Sequence, residues 1–338
     1  MSAPVRALVL AAAAALLAGC PRECEPAWRP VFDDAPGALL AGWGASEDDV
    51  FLVGGGLGAA GSGALALHWD GAAWRALDTA GRGDTLWWVW GAGPNDVWMV
   101  GENGLVLRWD GAALAQVPSG TLATLYGVWG PAPDDVWIVG GTVNGGPYDV
   151  VLHWDGQTLT PDTTIPATGV VFFKVWGSSA NDMWITGERG TVWRRMRGAW
   201  ENQSRLLPGG GTTTSLFTVH GCSPTEIYAV GGKALYRYDG TGWTYANAPA
   251  QTGFVNGVAC GGDEVLMVGL GGLKLRLDKA KGTWVDEQLR APFSDFHGAW
   301  IGPGGSAWAI GGNFLDPAGM TTRVGVVGYH GCDPPAGL

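Results

Sequence analysis

The sequence predicts an all-β chain folded as a seven-bladed β-propeller, and three observations carry that prediction. First, one phrase recurs seven times. It is clearest as VWGAGPNDVWMVGENGLVLRWDG (residues 89–111), VWGPAPDDVWIVGG (128–141) and VWGSSANDMWITGERG (175–190), with weaker copies starting at Gly42, Val219, Val258 and Ala299. The anchor position is held by Trp43, Trp90, Trp129, Trp176, His220, Ala259 and Trp300. A period of about 40–45 residues marks a propeller blade. Second, each unit holds four short alternating runs, which is the strand count of a blade. Third, the seventh unit stops after three runs, at HGCDPPAGL, and its missing run is found at the other terminus. There PAWRPV (26–31) matches AAWRAL (72–77), with Trp28 in the place of Trp74. The ring is expected to close with three C-terminal strands and one N-terminal strand, leaving no long exposed sheet edge.

The second unit shows the antiparallel order. Residues 86–90 form a first strand, 96–100 a second, 105–109 a third and 112–117 a fourth. Asp110-Gly111 is a hairpin signal between the last two. Gly accounts for 58 of 338 residues and sits in the turns between apolar runs, which supports the all-β reading.

The formal charge is −11, with no basic run. That balance speaks against nucleic acid and against electrostatic docking on anionic lipid. The N-terminus carries Arg6, an apolar run over 7–18, then Gly19 and Cys20. The run is shorter than the about 20 residues a spanning helix needs, so it reads as an export signal. LLAGC (16–20) resembles the bacterial lipobox, whose cysteine is acylated and becomes the first mature residue. With Pro21 following Cys20, the proteobacterial sorting pattern implies the outer membrane. The expected organisation is a signal peptide over 1–19, a lipidated N-terminus and linker over 20–25, the propeller over 26–332 and a tail over 333–338. Four cysteines remain, Cys24, Cys222, Cys260 and Cys332. An even number in an exported chain suggests two disulfides. Register puts Cys24 and Cys332 at the hairpin where the termini meet, and leaves Cys222 and Cys260, in equivalent turns of neighbouring blades, as the second pair.

Seventeen of the twenty tryptophans recur in register, which is what packing between blades requires, whereas Trp87, Trp88 and Trp193 lie off the pattern. An acidic residue precedes the second strand in six units (Asp49, Asp96, Asp135, Asp182, Glu226, Glu264). It is expected to brace the turn by accepting backbone amides. No loop gathers the several oxygens that calcium needs, and no Cys/His cluster suggests zinc. His68 and His153 share a third-strand slot and read as structural.

The segment DVWMVGENGLVLRWDGAA (96–113) resembles the units of lipoprotein-type propellers abundant in myxobacteria. It is more distantly similar to propellers of the photosystem II assembly factor type and to BNR or Asp-box propellers. The resemblance implies blades and no reaction. WDGAAW (69–74) is one residue shorter than an Asp-box hairpin, and the sialidase arginine cluster finds no counterpart.

No phosphate loop, Gly-x-Ser-x-Gly elbow or His-Glu-x-x-His is present, and no cofactor is implied. Loop length is the discriminating feature. The turn after the first strand and the third-to-fourth hairpin are nearly constant. Length varies between second and third strands (54–63, 140–149, 311–323) and between blades (78–85, 161–169, 204–215). Those two connection classes open on one face, and loops on a rigid scaffold carry binding. The expected function is a non-catalytic binding or assembly module at the cell envelope, monomeric, held by lipid alone, with an envelope protein or a surface glycan as partner. A lectin-like propeller and a cell-surface hydrolase or lyase are the alternatives.

Two positions before the anchor most units carry a small residue (Ala41, Gly127, Thr218, Gly257, Gly298), and the exceptions are Trp88 and Lys174. With Tyr148 and Asp149 of the third unit and Asn313, Asp316 and Arg323 of the seventh, they form the candidate site. Mass spectrometry of the native protein should find Cys20 N-terminal and acylated. An unmodified or differently cut N-terminus, or unaltered membrane retention of Cys20→Ala, would overturn the anchor.

Overall fold

The computed structural model describes residues 24–56, 63–249, 253–315 and 323–337; Cys20 and Asp316 lie outside them. The described residues form seven four-stranded antiparallel sheets arranged in a ring, a seven-bladed β-propeller. The inner strands, from blade 1 to blade 7, are Ala38–Ser46, Leu86–Gly93, Thr124–Ala132, Phe172–Ser179, Thr218–Ser223, Val255–Gly261 and Phe296–Ile301. Each is followed outward by its second, third and outer strands in chain order. Blade 7 takes its outer strand, Ala27–Ala35, from the N-terminus, paired with Gly325–Gly331. Trp28 lies opposite His330, as Trp74 lies opposite Trp69 in blade 1. No helix among the described residues is long and apolar enough to cross a membrane.

The hydrophobic core is divided into seven layers, each shared by two neighbouring blades. This explains why second strands such as DVWMVG (Asp96–Gly101) are buried along their length. Alternate side chains leave opposite faces of a strand. Val97 and Met99 therefore enter the layer with blade 1, while Trp98 and Val100 enter the layer with blade 3. The second-strand ring then meets an aromatic residue of the next blade. Trp98 packs on Trp154 at 5.4 Å, Trp184 on Trp243 at 5.4 Å and Trp308 on Trp74 at 6.5 Å, inside the range of favourable aromatic pairs.

The acidic residue before the second strand does not brace the turn as expected. Its carboxylate reaches across to a base on the third strand: Asp49 to His68, Asp96 to Arg108, Asp135 to His153, Asp182 to Arg194 and Glu264 to Arg276. In two blades the base lies over the second-strand indole, with Arg108 4.8 Å from the Trp98 ring and Arg194 4.6 Å from the Trp184 ring. Backbone bracing falls to the hairpin aspartates instead, where Asp110 accepts both Ala112 N and Ala113 N at 2.9 Å.

Close approach fixes two sets of glycines. A Cβ on the second-strand glycine of any blade (Gly54, Gly101, Gly140, Gly187, Gly231, Gly269, Gly311) would overlap a carbonyl oxygen at or just before the start of the inner strand, as at Gly101 against Thr85. The Trp-Gly pair is an interlock: the anchor indole of one blade lies on the glycine of the next, Trp43 on Gly91, Trp129 on Gly177 and Trp300 on Gly44. Disulfides join Cys24 to Cys332 and Cys222 to Cys260, with Cα separations of 5.7 and 5.0 Å. The first closes a 308-residue separation across the seam of blade 7, and the loss of unfolded-chain entropy is worth up to about 5–6 kcal/mol.

Gly101→Ala should lower stability by about 3 kcal/mol or more, read from the denaturant midpoint, because backbone rather than a mobile side chain must yield. Gly93→Ala, where an added Cβ meets nothing within 4 Å, should stay within about 0.5 kcal/mol of the parent.

Candidate functional site

The inner strands carry the feature that shapes the channel. In six of the seven, the pairing register slips by one residue three positions before the anchor. The slip is a β-bulge, which leaves one residue unpaired and re-aims its side chain. The bulged residues are Leu40, Trp87, Tyr126, Phe173, Asn256 and His297, and Phe217 holds the same position in blade 5. Five of these rings join in a row, Phe173 meeting Phe217 at 5.7 Å in a tilted contact, and Phe173 meeting Tyr126 at 5.4 Å, Tyr126 meeting Trp87 at 5.1 Å and Trp87 meeting His297 at 5.7 Å edge to face. Phe314, from the second-to-third connection of blade 7, adds a sixth against His297 at 5.5 Å. They line a cup of about 270 Å³ at the channel mouth.

Trp88 and Lys174 meet beneath this cup. The Lys174 Nζ lies 4.1 Å from the Trp88 ring centroid and donates to Tyr126 O at 2.7 Å. The contact passes over blade 3 because Gly127 has no side chain there: a Cβ would come within 2.9 Å of Lys174 Cα. Lys174 lines the cup and Trp88 lines a second cavity of about 180 Å³ below it, walled by the anchor tryptophans. The pair therefore lies as a septum between the two cavities, which share no lining residue among those described. Lys174 is 3% exposed, and burial pushes its ammonium down to about 7. Burial and then the Lys174 charge push His297 down to about 3. A neutral His297 donates from Nδ1 to Leu40 O at 2.7 Å, which leaves Nε2 as an acceptor. Asn256 Nδ2 donates to Phe296 O at 3.0 Å.

The other candidate residues lie on the same face, away from the cup's lining. Tyr148 is exposed on the long loop of blade 3. Asp149 ties that loop together, accepting from Gly169 N at 2.7 Å and from Thr168 N at 2.9 Å. Arg323 donates to Asn313 O at 2.6 Å, and Asn313 Oδ1 accepts Val324 N at 2.6 Å, so these two pin the blade 7 connection. The ring at the bulges was not anticipated from the sequence, which singled out Trp87 alone among its members. A readable signal exists: three positions before the anchor, five of seven units carry a ring.

The face itself is unusual in a second way. Among the described residues, eight of the ten exposed large apolar side chains belong to it and none to the uniform face. Leu122, Leu206, Phe254, Leu289 and Phe293 lie between blades, Val143, Tyr148 and Leu315 in second-to-third connections, and Tyr245 and Val285 near the ends of outer strands that lead there. Scattered exposed hydrophobics are ordinary, but their concentration on one side is not. The described residues lining the two channel cavities include no carboxylate, and no group of three or more potential metal ligands occurs among the described residues.

No family model and no curated protein matches this chain. Solved structures do match. Streptogramin B lyase aligns with a TM-score of 0.69 at 15% identity, over 89% of this chain and 97% of the other. YCF48 bound to a D1 peptide aligns at 0.67 and 15% identity, over 90% and 97%. YCF48 from Cyanidioschyzon merolae aligns at 0.64 and 14% identity, over 90% and 98%. What they share with this chain is the propeller.

The buried lysine has a measurable consequence. Unfolded, it titrates near 10.4; folded, near 7. Between those values the unfolded chain binds more protons, so this group makes stability rise with pH from about 7 to about 10. Each pKa unit is worth about 1.4 kcal/mol, and the Trp88 face returns about 2 kcal/mol of the cost. Lys174→Met should therefore unfold at higher temperature than the parent at pH 7, with the gap closing by pH 10. A gap that is absent at pH 7, or unchanged at pH 10, would show that the charge carries no such cost.

Proposed function

We propose that this protein is a polypeptide-binding or assembly module of the cell envelope, anchored through acylated Cys20 and engaging its partner on the loop-diversified face. The observation that carries the reading is the concentration of exposed apolar residues on that face, around an aromatic cup. Tyr148, Asp149, Asn313 and Arg323 would supply polar contacts at its periphery. A cup of about 270 Å³ lies below the about 300–1,000 Å³ typical of small-molecule sites. It suits a single side chain anchoring a larger interface, as buried anchors do at protein contacts. The described residues lining the channel include no paired carboxylates of the kind acid–base hydrolysis uses. The likeness to a propeller that carries a D1 peptide supports polypeptide as the partner class.

The test compares capture of envelope proteins by the parent and by two variants. Phe254→Ser with Phe293→Ser alters the diversified face. Ala112→Glu with Gln157→Glu alters hairpin tips on the uniform one. The same partner should be lost from the first variant by at least tenfold and kept by the second. Loss from the second alone would place binding on the wrong side.

A further inference from the structure

Among the described residues lining the cup, Lys174 is the one that carries a charge, since His297 is held neutral. Its situation differs from that of the other buried lysine. Lys274 satisfies two carbonyls, Gly272 O at 3.0 Å and Pro292 O at 3.1 Å, and feels the charges of Glu287 and Asp286. Lys174 has one carbonyl and one indole face, and no carboxylate offsets its burial. An ammonium has three N–H donors, so the floor of this apolar cup keeps donor capacity for an anion. Glu102 and Glu188, on the Tyr126 side, accept the backbone amides of Thr85 and Val171.

The occupant must therefore combine an apolar body with a single negative charge, in the space of about one residue. It must also end there, because the Trp88–Lys174 pair separates the cup from the cavity below it. In a polypeptide one position meets all three conditions. At the last residue the α-carboxylate and an apolar side chain leave the same Cα, whereas an internal acidic residue would bring a second residue and a continuing chain. Exposed Leu315 at the rim, with Phe254 and Phe293 on the same face, extends the apolar surface to preceding residues, which a free small acid would not use. Building on the reading above, we propose that the cup binds the C-terminal residue of its partner. The side chain lies against Trp87, Tyr126, Phe173 and Phe217, and the carboxylate pairs with the Lys174 Nζ.

Calorimetry with the full-length protein tests this with three probes. They are an N-acetylated hexapeptide ending in leucyl-phenylalanine as the free acid, the same peptide as the C-terminal amide, and N-acetylphenylalanine. The free acid should bind at least tenfold more tightly than the amide, and Lys174→Met should bring that ratio to about one. Phe173→Ala should weaken both peptides. The acid-to-amide comparison on the parent needs no variant, so it stands even where a substitution disturbs folding. Equal binding of acid and amide, binding of neither, or a ratio that survives in Lys174→Met overturns the assignment. N-acetylphenylalanine binding as tightly as the peptide overturns the chain terminus as the source. If acid and amide bind alike while the Phe254/Phe293 variant still loses its partner, the cup assignment fails and the face reading stands.

Discussion

The structure depends on how closely seven inner strands are brought to one axis. The inner edge of each sheet has no strand to pair with, so the blades are coupled there by contact rather than by a ladder. Trp43 on Gly91, Trp129 on Gly177 and Trp300 on Gly44 put one blade's indole on the next blade's backbone. Higher in the channel, side chains donate to the neighbouring edge: Lys174 to Tyr126 O, Thr218 to Asn256 O, Asn256 to Phe296 O and His297 to Leu40 O. Each serves a carbonyl that a fifth, innermost strand would otherwise have paired. Blades 5 and 6 are the place where the interlock lapses, since their anchors are His220 and Ala259. That is where Cys222 and Cys260 join the two inner strands. At the first of these two junctions, from blade 5 to blade 6, a covalent bond couples the neighbours.

The sequence makes the blades legible because their packing is periodic. Repeated Trp-Gly pairs, a fixed spacing to the second-strand glycine and alternation along each run all express contacts that recur in every blade. The two disulfides follow from the same register, as Cys24 and Cys332 occupy the hairpin at the seam. The acid before the second strand was legible as a repeat and not as a role. Its partner, such as Arg108 for Asp96, sits across a hairpin whose residue type changes between His and Arg from blade to blade.

The channel mouth was only half legible, for a geometric reason. Strict alternation assigns one parity of the inner strand to the channel, and that parity singles out Trp88 and Lys174. A bulge adds a residue and turns the intervening side chain inward as well. Trp87, Tyr126, Phe173 and His297 therefore reach the mouth from positions that alternation assigns elsewhere. Chemical identity hid them further, because the column holds rings of four kinds and no constant residue. The septum and the ring are thus products of one device, a bulge at the same place in six blades.

The two faces of the ring then differ for physical reasons. On the uniform face the hairpins are closed by their own aspartates, as at Asp110 and Asp155, and the backbone amides are already satisfied. Such turns gain nothing from added length or apolar side chains, so they stay short and polar. On the opposite face only one or two residue pairs follow the bulge before the rim, and the connections are free to lengthen. Exposed Phe293 and Leu315 are costs to solubility that a monomer has no need to carry. Lys174 is a cost of the same kind inside the channel, a charge buried beside one carbonyl and an indole. Lys174 stands where four other blades carry glycine or alanine, and under the proposal above a ligand would complete it.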